Sequence, residues 1–295
     1  MSSQQIEADV DCLVEGVIGR TFNAVNMLQI LPMIAVGRLL GFPRDTWQEI
    51  AFLTMASAAA SDPKYAMGRT PEDTMRRAHF GLLGIFSETL ETMDEIDTVV
   101  GALKSMTVDG RRLSFDDCLL NCYNFALGAN TTTSHVAAHL LVVLATNDDV
   151  WEQVRQDPEA MAEPVVEEAA RWASPTNHLV RRARSEVSIG GVNIDTGDWV
   201  CAWVASANRD ESVFDKPYEF RPGRLPNPHL GFGAGPHYCI GAPAARLALR
   251  RFVTTLARRA SAVRLAGEPR HLESNWINGF TELPMIIKEQ VVASC

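Results

Sequence analysis

The chain has 295 residues, 46% of them apolar and 21% charged, which are the values of a globular protein and not of a disordered one. Its 36 acidic and 27 basic side chains give a net charge of −9, which argues against a nonspecific nucleic-acid binder working through a basic field. No run of about 18 uncharged apolar residues occurs. The opening Met1-Ser-Ser-Gln-Gln-Ile-Glu has neither the basic nor the apolar part of a secretory leader, so a cytoplasmic protein without membrane contact is expected.

Val10, Leu13, Val14 and Val17 recur at the helical period and predict a first helix. A second is predicted over about 22–40, stopped by Gly41-Phe42-Pro43, with Pro32 kinking or splitting it. Further helices are predicted after Asp45 and over roughly 71–100. Ser114-Phe-Asp-Asp117 reads as a capping box that opens the longest helix, unbroken over 116–145. At 1.5 Å per residue that is about 45 Å, enough to cross a whole domain. Helices resume over 149–156 and 158–172. The period then changes to two. Residues 187–194 alternate around Gly190-Gly191 as a hairpin, and 199–204 read as a strand. A turn-rich stretch over 210–230 leads to a final helix over 244–259. With no repeat and no linker, the expectation is a single domain over 1–295, mainly α with a small β part.

The six cysteines are Cys12, Cys118, Cys122, Cys201, Cys239 and Cys295, with no CxxC among them, which fits a reducing compartment. Cys118 and Cys122 have helical spacing. Cys239 is different. Gly231, Gly233 and Gly235 precede it, Gly241 follows, and a helix starts directly after. Glycine permits positive φ and close approach of backbone to a ligand, and the helix N-terminus favours a thiolate. Such a cysteine is a nucleophile or a metal ligand.

Phe232, Gly233, Gly235, His237, Cys239 and Gly241 fill the pattern Phe-Gly-x-Gly-x-His/Arg-x-Cys-x-Gly, and Ala-Pro-Ala-Ala-Arg246 follows. This segment resembles the haem-binding loop of the cytochrome P-450 family. The resemblance implies that Cys239 is the axial thiolate of a haem b iron. It implies that Phe232 lies beside the haem, that Gly233 and Gly241 belong to its cradle, and that His237 reaches a propionate. Arg181 matches the family's propionate-binding arginine, with Arg182 next to it if the register slips by one. Glu168-Ala-Ala-Arg171 is similar to the family's Glu-x-x-Arg. Ala207-Asn-Arg-Asp210, with Phe214 and Pro217, and Phe220-Arg-Pro-Gly-Arg224 resemble its partners in a structural lock. The implied fold is P-450-like but truncated, because the family has an additional N-terminal region that supplies first sheet strands, part of the pocket and a second grip on the haem.

The family's central helix carries Ala-Gly-x-Asp/Glu-Thr, where an acid and an alcohol relay protons to bound dioxygen. The similar stretch here is Leu127-Gly128-Ala129-Asn130-Thr131-Thr132-Thr133. It places Gly128 and Ala129 against the haem, Thr132 at the alcohol position and Thr131 at the acid position. Threonine does not titrate near neutrality, so proton delivery falls to Thr132 with water, or to Asn130. His135 and His139 have metal-ligand spacing but no third ligand, and are read as packing or solvent-facing. Arg246, Arg250, Arg251, Arg258 and Arg259 form either a docking patch for an acidic electron-transfer partner or a solvated helix face.

The resemblance implies a haem-thiolate monooxygenase that inserts one oxygen atom from dioxygen into a small organic substrate, with electrons from a redox partner such as ferredoxin and its reductase. Substrate contacts are expected near Val180, Ala129 and 277–281. The alternative is a truncated, non-catalytic or peroxide-using haem protein or scaffold. A zinc or thiol enzyme lacks the Cys/His/Asp constellation it would need.

Overall fold

The computed structural model describes residues 3–93 and 97–290; Cys295 lies outside them. In chain order the elements begin α1 (Ser3–Glu15), β1 (Thr21–Asn23), α2 (Ala24–Leu28), α3 (Leu31–Leu40), α4 (Trp47–Ala58), α5 (Pro71–Thr92) and α6 (Val99–Ser105). They continue with β2 (Thr107–Val108), β3 (Arg111–Arg112), α7 (Phe115–Asn130), α8 (Thr133–Thr146), α9 (Asp148–Gln156) and α10 (Pro158–Ala173). The C-terminal third holds β4 (His178–Arg182), β5 (Val187–Ile189), β6 (Val192–Ile194), β7 (Trp199–Trp203) and α11 (Val204–Ala207). It ends with α12 (Ala242–Arg259), β8 (Ala260–Leu265), β9 (Arg270–His271), β10 (Phe280–Glu282) and β11 (Pro284–Glu289). The fold is mainly α with a small β part. Among the described residues no helix is long and apolar enough to cross a membrane.

Three predicted helices are divided. Pro32 splits the second one: it sits in the first turn of α3, where its missing N–H costs nothing, and Thr21–Asn23 before α2 pair with β11 as a strand. The helix over 71–100 is two, α5 capped by Thr70 and α6 capped by Thr98, each threonine hydroxyl accepting a backbone N–H three residues on. The long helix starts on the predicted capping box, with Ser114 and Asp117 reciprocally bonded, but it breaks at Thr131-Thr132. There the Thr131 and Thr132 hydroxyls donate to the carbonyls of Leu127 and Gly128, at 2.9 and 3.0 Å. Thr132 leaves the helical region, with φ −127° and ψ −55°. Side-chain hydroxyls thus compete with the backbone for one turn of acceptors, which weakens the ladder there.

The predicted hairpin forms as β5–β6, with Gly190 and Gly191 at φ +57° and +80°. The antiparallel sheet β1–β11–β8, which joins the N-terminal strand to the C-terminal segment, and the pair β9–β10 are additional β structure. Buried apolar side chains from Ile6 to Ile287 join in one cluster, to which α3, α4, α5, α8, α10 and α12 contribute most.

His135 and His139 face packing. His135 is 2% exposed, and its ring lies so close to Gly279 that a Cβ there would collide with it. Burial first, then His139 and Lys64, push the His135 pKa down to about 3. Burial first, together with His271 and Arg209, pushes His139 to about 4, against a hydrogen bond with the Asn278 backbone. Both are neutral in the folded state, while the unfolded chain binds their protons below about pH 6.5. Stability is therefore complete above pH 6.5 and is lost as pH falls toward 4, with a slope of up to about 1.4 kcal/mol per pH unit per histidine. Urea unfolding at pH 7, 6 and 5 should show this decline, and His135→Gln should flatten it. An unchanged midpoint over that range contradicts the buried, neutral pair.

Candidate functional site

A cavity of about 490 Å³ lies between the α7–α8 break and the glycine-rich loop that precedes α12. Phe232, Gly233, His237, Cys239 and Gly241 line one side. Ala129, Thr131 and Thr132 line the other, and Arg181 stands at the margin on β4. These nine residues meet at one cavity, with Gly128 beside them, whereas Asn130 and Gly235 do not line it. The remaining wall is chiefly apolar, with Val36, Phe125, Val136, Leu179, Leu249 and Trp276. Such a volume and lining suit a largely hydrophobic ligand oriented by a few polar groups.

The loop is shaped for close approach. Gly233 and Gly235 take φ +72° and +66°, conformations that L side chains rarely adopt. The Cys239 N–H donates to the Phe232 carbonyl at 2.8 Å, closing the loop so that the thiol is exposed toward the cavity. α12 then begins at Ala242, with Pro243 in its first turn, and its N-terminus supplies partial positive charge near the sulfur. The thiol, the glycine turns and the broad apolar wall fit a flat macrocycle whose metal takes a soft thiolate ligand. Arg181 and His237, both exposed and on the cavity, supply donors for peripheral carboxylates.

A buried ionic lock stands beside the loop. Glu168 and Arg171 on α10 are both fully buried and pair bidentately, at 2.7 and 2.8 Å. Arg171 also donates to the carbonyls of Asn208, Pro217 and Glu219. Arg224 reaches Glu168 at 3.2 Å, and the Arg221 N–H donates to the same carboxylate. Asn208 links this lock to the loop: its amide donates to the Ser174 hydroxyl and its Oδ1 accepts the Leu230 N–H at 2.7 Å.

The five α12 arginines are not a free patch. Glu159, Glu163 and Glu167, four residues apart along α10, pair with Arg258, Arg250 and Arg246. On α1, Asp11 binds Arg251 and Glu15 binds Arg259. α12 is laced to two acidic helix faces, with Arg250, Arg258 and Arg259 still exposed at their pairs. The regular acid spacing of α10 was the signal for this. The expected substrate contacts shift as well: Ile277, Phe280 and Thr281 are buried in the core, and Trp276, just before that segment, lines the cavity. Val180 gives way to its neighbours Leu179 and Arg181. Pro32, Ala35 and Val36 of α3 complete a wall that no motif announced.

The cytochrome P450 family model matches residues 76–276. The chain belongs to the cytochrome P450 family. It is 31% identical over 288 residues to linalool 8-monooxygenase of Pseudomonas putida, covering 96% of this chain and 70% of that protein. It is 33% identical over 253 residues to a steroid C26-monooxygenase of Mycolicibacterium smegmatis, covering 84% and 57%. The structure of a Mycobacterium marinum cytochrome P450 in complex with pseudoionone superposes with a TM-score of 0.87 at 26% identity, over 96% of this chain and 71% of that one. The chain thus spans about 57–70% of the length of these two curated relatives.

Proposed function

We propose that this P450 chain is a haem-thiolate monooxygenase that inserts one oxygen atom from dioxygen into a small apolar, isoprenoid-like substrate. The observation that carries the reading is the single cavity with Cys239 on one side and the α7–α8 break on the other. The naming of similar proteins for linalool and for steroid, and a neighbour's complex with pseudoionone, support the substrate class. Haem b, cytoplasmic placement and a ferredoxin with its reductase as electron source complete the reading.

When bound, the haem supplies a thiolate-ligated iron for dioxygen binding and cleavage. The chain's residues do the rest. Cys239 ligates the iron, held by the glycine turns and the start of α12. Phe232 packs beside the sulfur. Arg181 and His237 hold the propionates, and Gly233 and Gly241 keep the loop close. Ala129 leaves room at the break. The Thr132 hydroxyl, which donates to the Gly128 carbonyl, keeps its oxygen lone pairs free to accept a hydrogen bond from a water and orient it. Leu179, Phe125 and Trp276 exclude water from an apolar substrate. The experiment is an absorption spectrum of the reduced, carbon monoxide-treated protein, followed by product analysis with linalool-type and steroid substrates under dioxygen. Haem binding with a thiolate-type Soret band and a dioxygen-dependent hydroxylated product support the reading. Haem binding with no product by any route favours the non-catalytic alternative.

Thr131 supplies no titrating acid at the break. Reduction-driven oxygen chemistry should therefore leak electrons to peroxide, while supplied hydrogen peroxide brings its own protons. Thr131→Asp should raise product per electron pair consumed and leave peroxide-driven turnover nearly unchanged; general acid catalysis contributes about 10²–10⁴-fold where it operates. Asn130→Asp is the companion variant, because the Asn130 Oδ1 is buried without a partner one residue earlier. The measurement is coupling efficiency with a surrogate reductase. Tight coupling in the wild type removes the case for an impaired relay.

A further inference from the structure

Glu167 precedes the locked Glu168 and takes no part in its contacts. Its Oε1 accepts from Arg246 Nε at 2.6 Å, and its Oε2 accepts from Arg246 Nη2 at 2.9 Å and from His229 Nε2 at 3.2 Å. These partners stand at the two ends of the Cys239 loop. The Gly231 N–H donates to His229 Nδ1 at 3.1 Å, so that nitrogen is an acceptor and Nε2 carries the proton directed at Glu167. Gly231 itself has no freedom, since a Cβ there would lie 2.8 Å from the Ala170 carbonyl oxygen.

At the other end, the Arg246 guanidinium lies 4.3 Å over the Phe232 ring, and Nη1 donates to the Tyr238 hydroxyl at 3.0 Å. Phe232 accepts the Cys239 N–H, and Tyr238 is the residue before Cys239. A cation is thus packed against both flanks of the cysteine, and its carboxylate counterion stands behind it on α10. Burial works to raise the Glu167 pKa, but the hydrogen bonds from Arg246 and His229 overcome it and hold the carboxyl down at about 2. The bond to Glu167, before any other cause, holds Arg246 above its ordinary range. The pair is about one-quarter exposed on each side, so its field is only partly screened.

We propose that Glu167 and Arg246 are a positioning pair for Cys239. Arg246 fixes Phe232 and Tyr238 on the two flanks of the cysteine and sets a positive charge beside the thiolate, and Glu167 fixes Arg246 and balances that charge. The inference rests on the haem-thiolate reading of Cys239 and adds to it a means of tuning the metal from outside its ligand.

The test is the reduction midpoint potential of the haem-loaded protein. Glu167→Gln leaves the cation uncompensated near the thiolate, which favours the reduced, more negative site, so the midpoint should rise. Arg246→Gln leaves the carboxylate uncompensated, so the midpoint should fall. Combining the two should return it toward the wild-type value. Arg246→Lys keeps the charge and loses the fork, and should stay near the wild type; it carries the comparison if Arg246→Gln does not hold haem. A role confined to loop stability predicts shifts of the same sign in both single variants. Same-sign shifts, unmoved midpoints, or an Arg246→Lys midpoint displaced as far as that of Glu167→Gln overturn the inference while leaving haem-thiolate ligation intact. A wild type with no thiolate-type spectrum overturns both.

Discussion

Cys239→Ser should abolish the thiolate-type Soret shift of the reduced, carbon monoxide-treated protein. The wild-type side chain offers a soft sulfur, which is the donor a thiolate-ligated haem iron takes. A serine hydroxyl does not ionise there and is a poor ligand for haem iron. The exchange of sulfur for oxygen changes little in size, and Cys239 is exposed on the cavity and not packed in the core, so the loop should keep its turns. The loss should therefore be spectroscopic and complete, with far-ultraviolet circular dichroism and the unfolding midpoint nearly unchanged. Cys201 and Cys12 are also exposed and serve as controls, because neither lines the cavity. Serine at either should leave the band in place. A Cys239→Ser protein that retains the band, or a Cys201→Ser protein that loses it, places the ligand elsewhere.

The glycine-rich loop was legible because its chemistry is local: a thiol, turns that only glycine adopts easily, and the start of a helix all fall within Gly231–Ala242. Helices with caps were legible for the same reason, as with Ser114 and Asp117. What escaped depends on contacts distant in sequence. β1 is three residues long and exists because β11, more than 260 residues away, pairs with it. Its Phe22 is equally at home in the helical pattern that follows. The split at Thr131 depends on hydroxyls choosing carbonyls over water inside a packed interface, a choice that composition does not record. The arginines of α12 read equally as a docking patch or a solvated face because their acidic partners lie on two other helices, α1 and α10; only the assembled fold brings Glu159, Glu163 and Glu167 into line with them. The same reason hid Glu167 and His229, which carry no motif of their own.

Arg171→Ala should give the largest loss of stability outside the core. The Arg171 side chain is fully buried and satisfies Glu168 through two bonds and three backbone carbonyls, those of Asn208, Pro217 and Glu219. Truncation leaves Glu168 with Arg224 as its remaining cation and strands the buried carbonyls of Asn208 and Pro217, while the Glu219 carbonyl keeps Arg224 as a donor. Breaking a buried pair by removing one member costs about 3–5 kcal/mol, and each orphaned acceptor adds about 1–3 kcal/mol where no water enters. Against a total stability of about 5–15 kcal/mol, that is enough to unfold much of the protein at growth temperature. Arg171→Lys should fail nearly as badly, because a single ammonium cannot reproduce the fork that meets both carboxylate oxygens and the carbonyls together. The disruption should spread to the cysteine loop through Asn208, whose side chain holds both Ser174 and the Leu230 backbone. The checks are soluble yield, the denaturant midpoint and haem retained per chain. All three should fall together in Arg171→Ala. A variant that folds with the wild-type midpoint, keeps its haem and is impaired only in turnover assigns Arg171 to the chemistry instead of the scaffold.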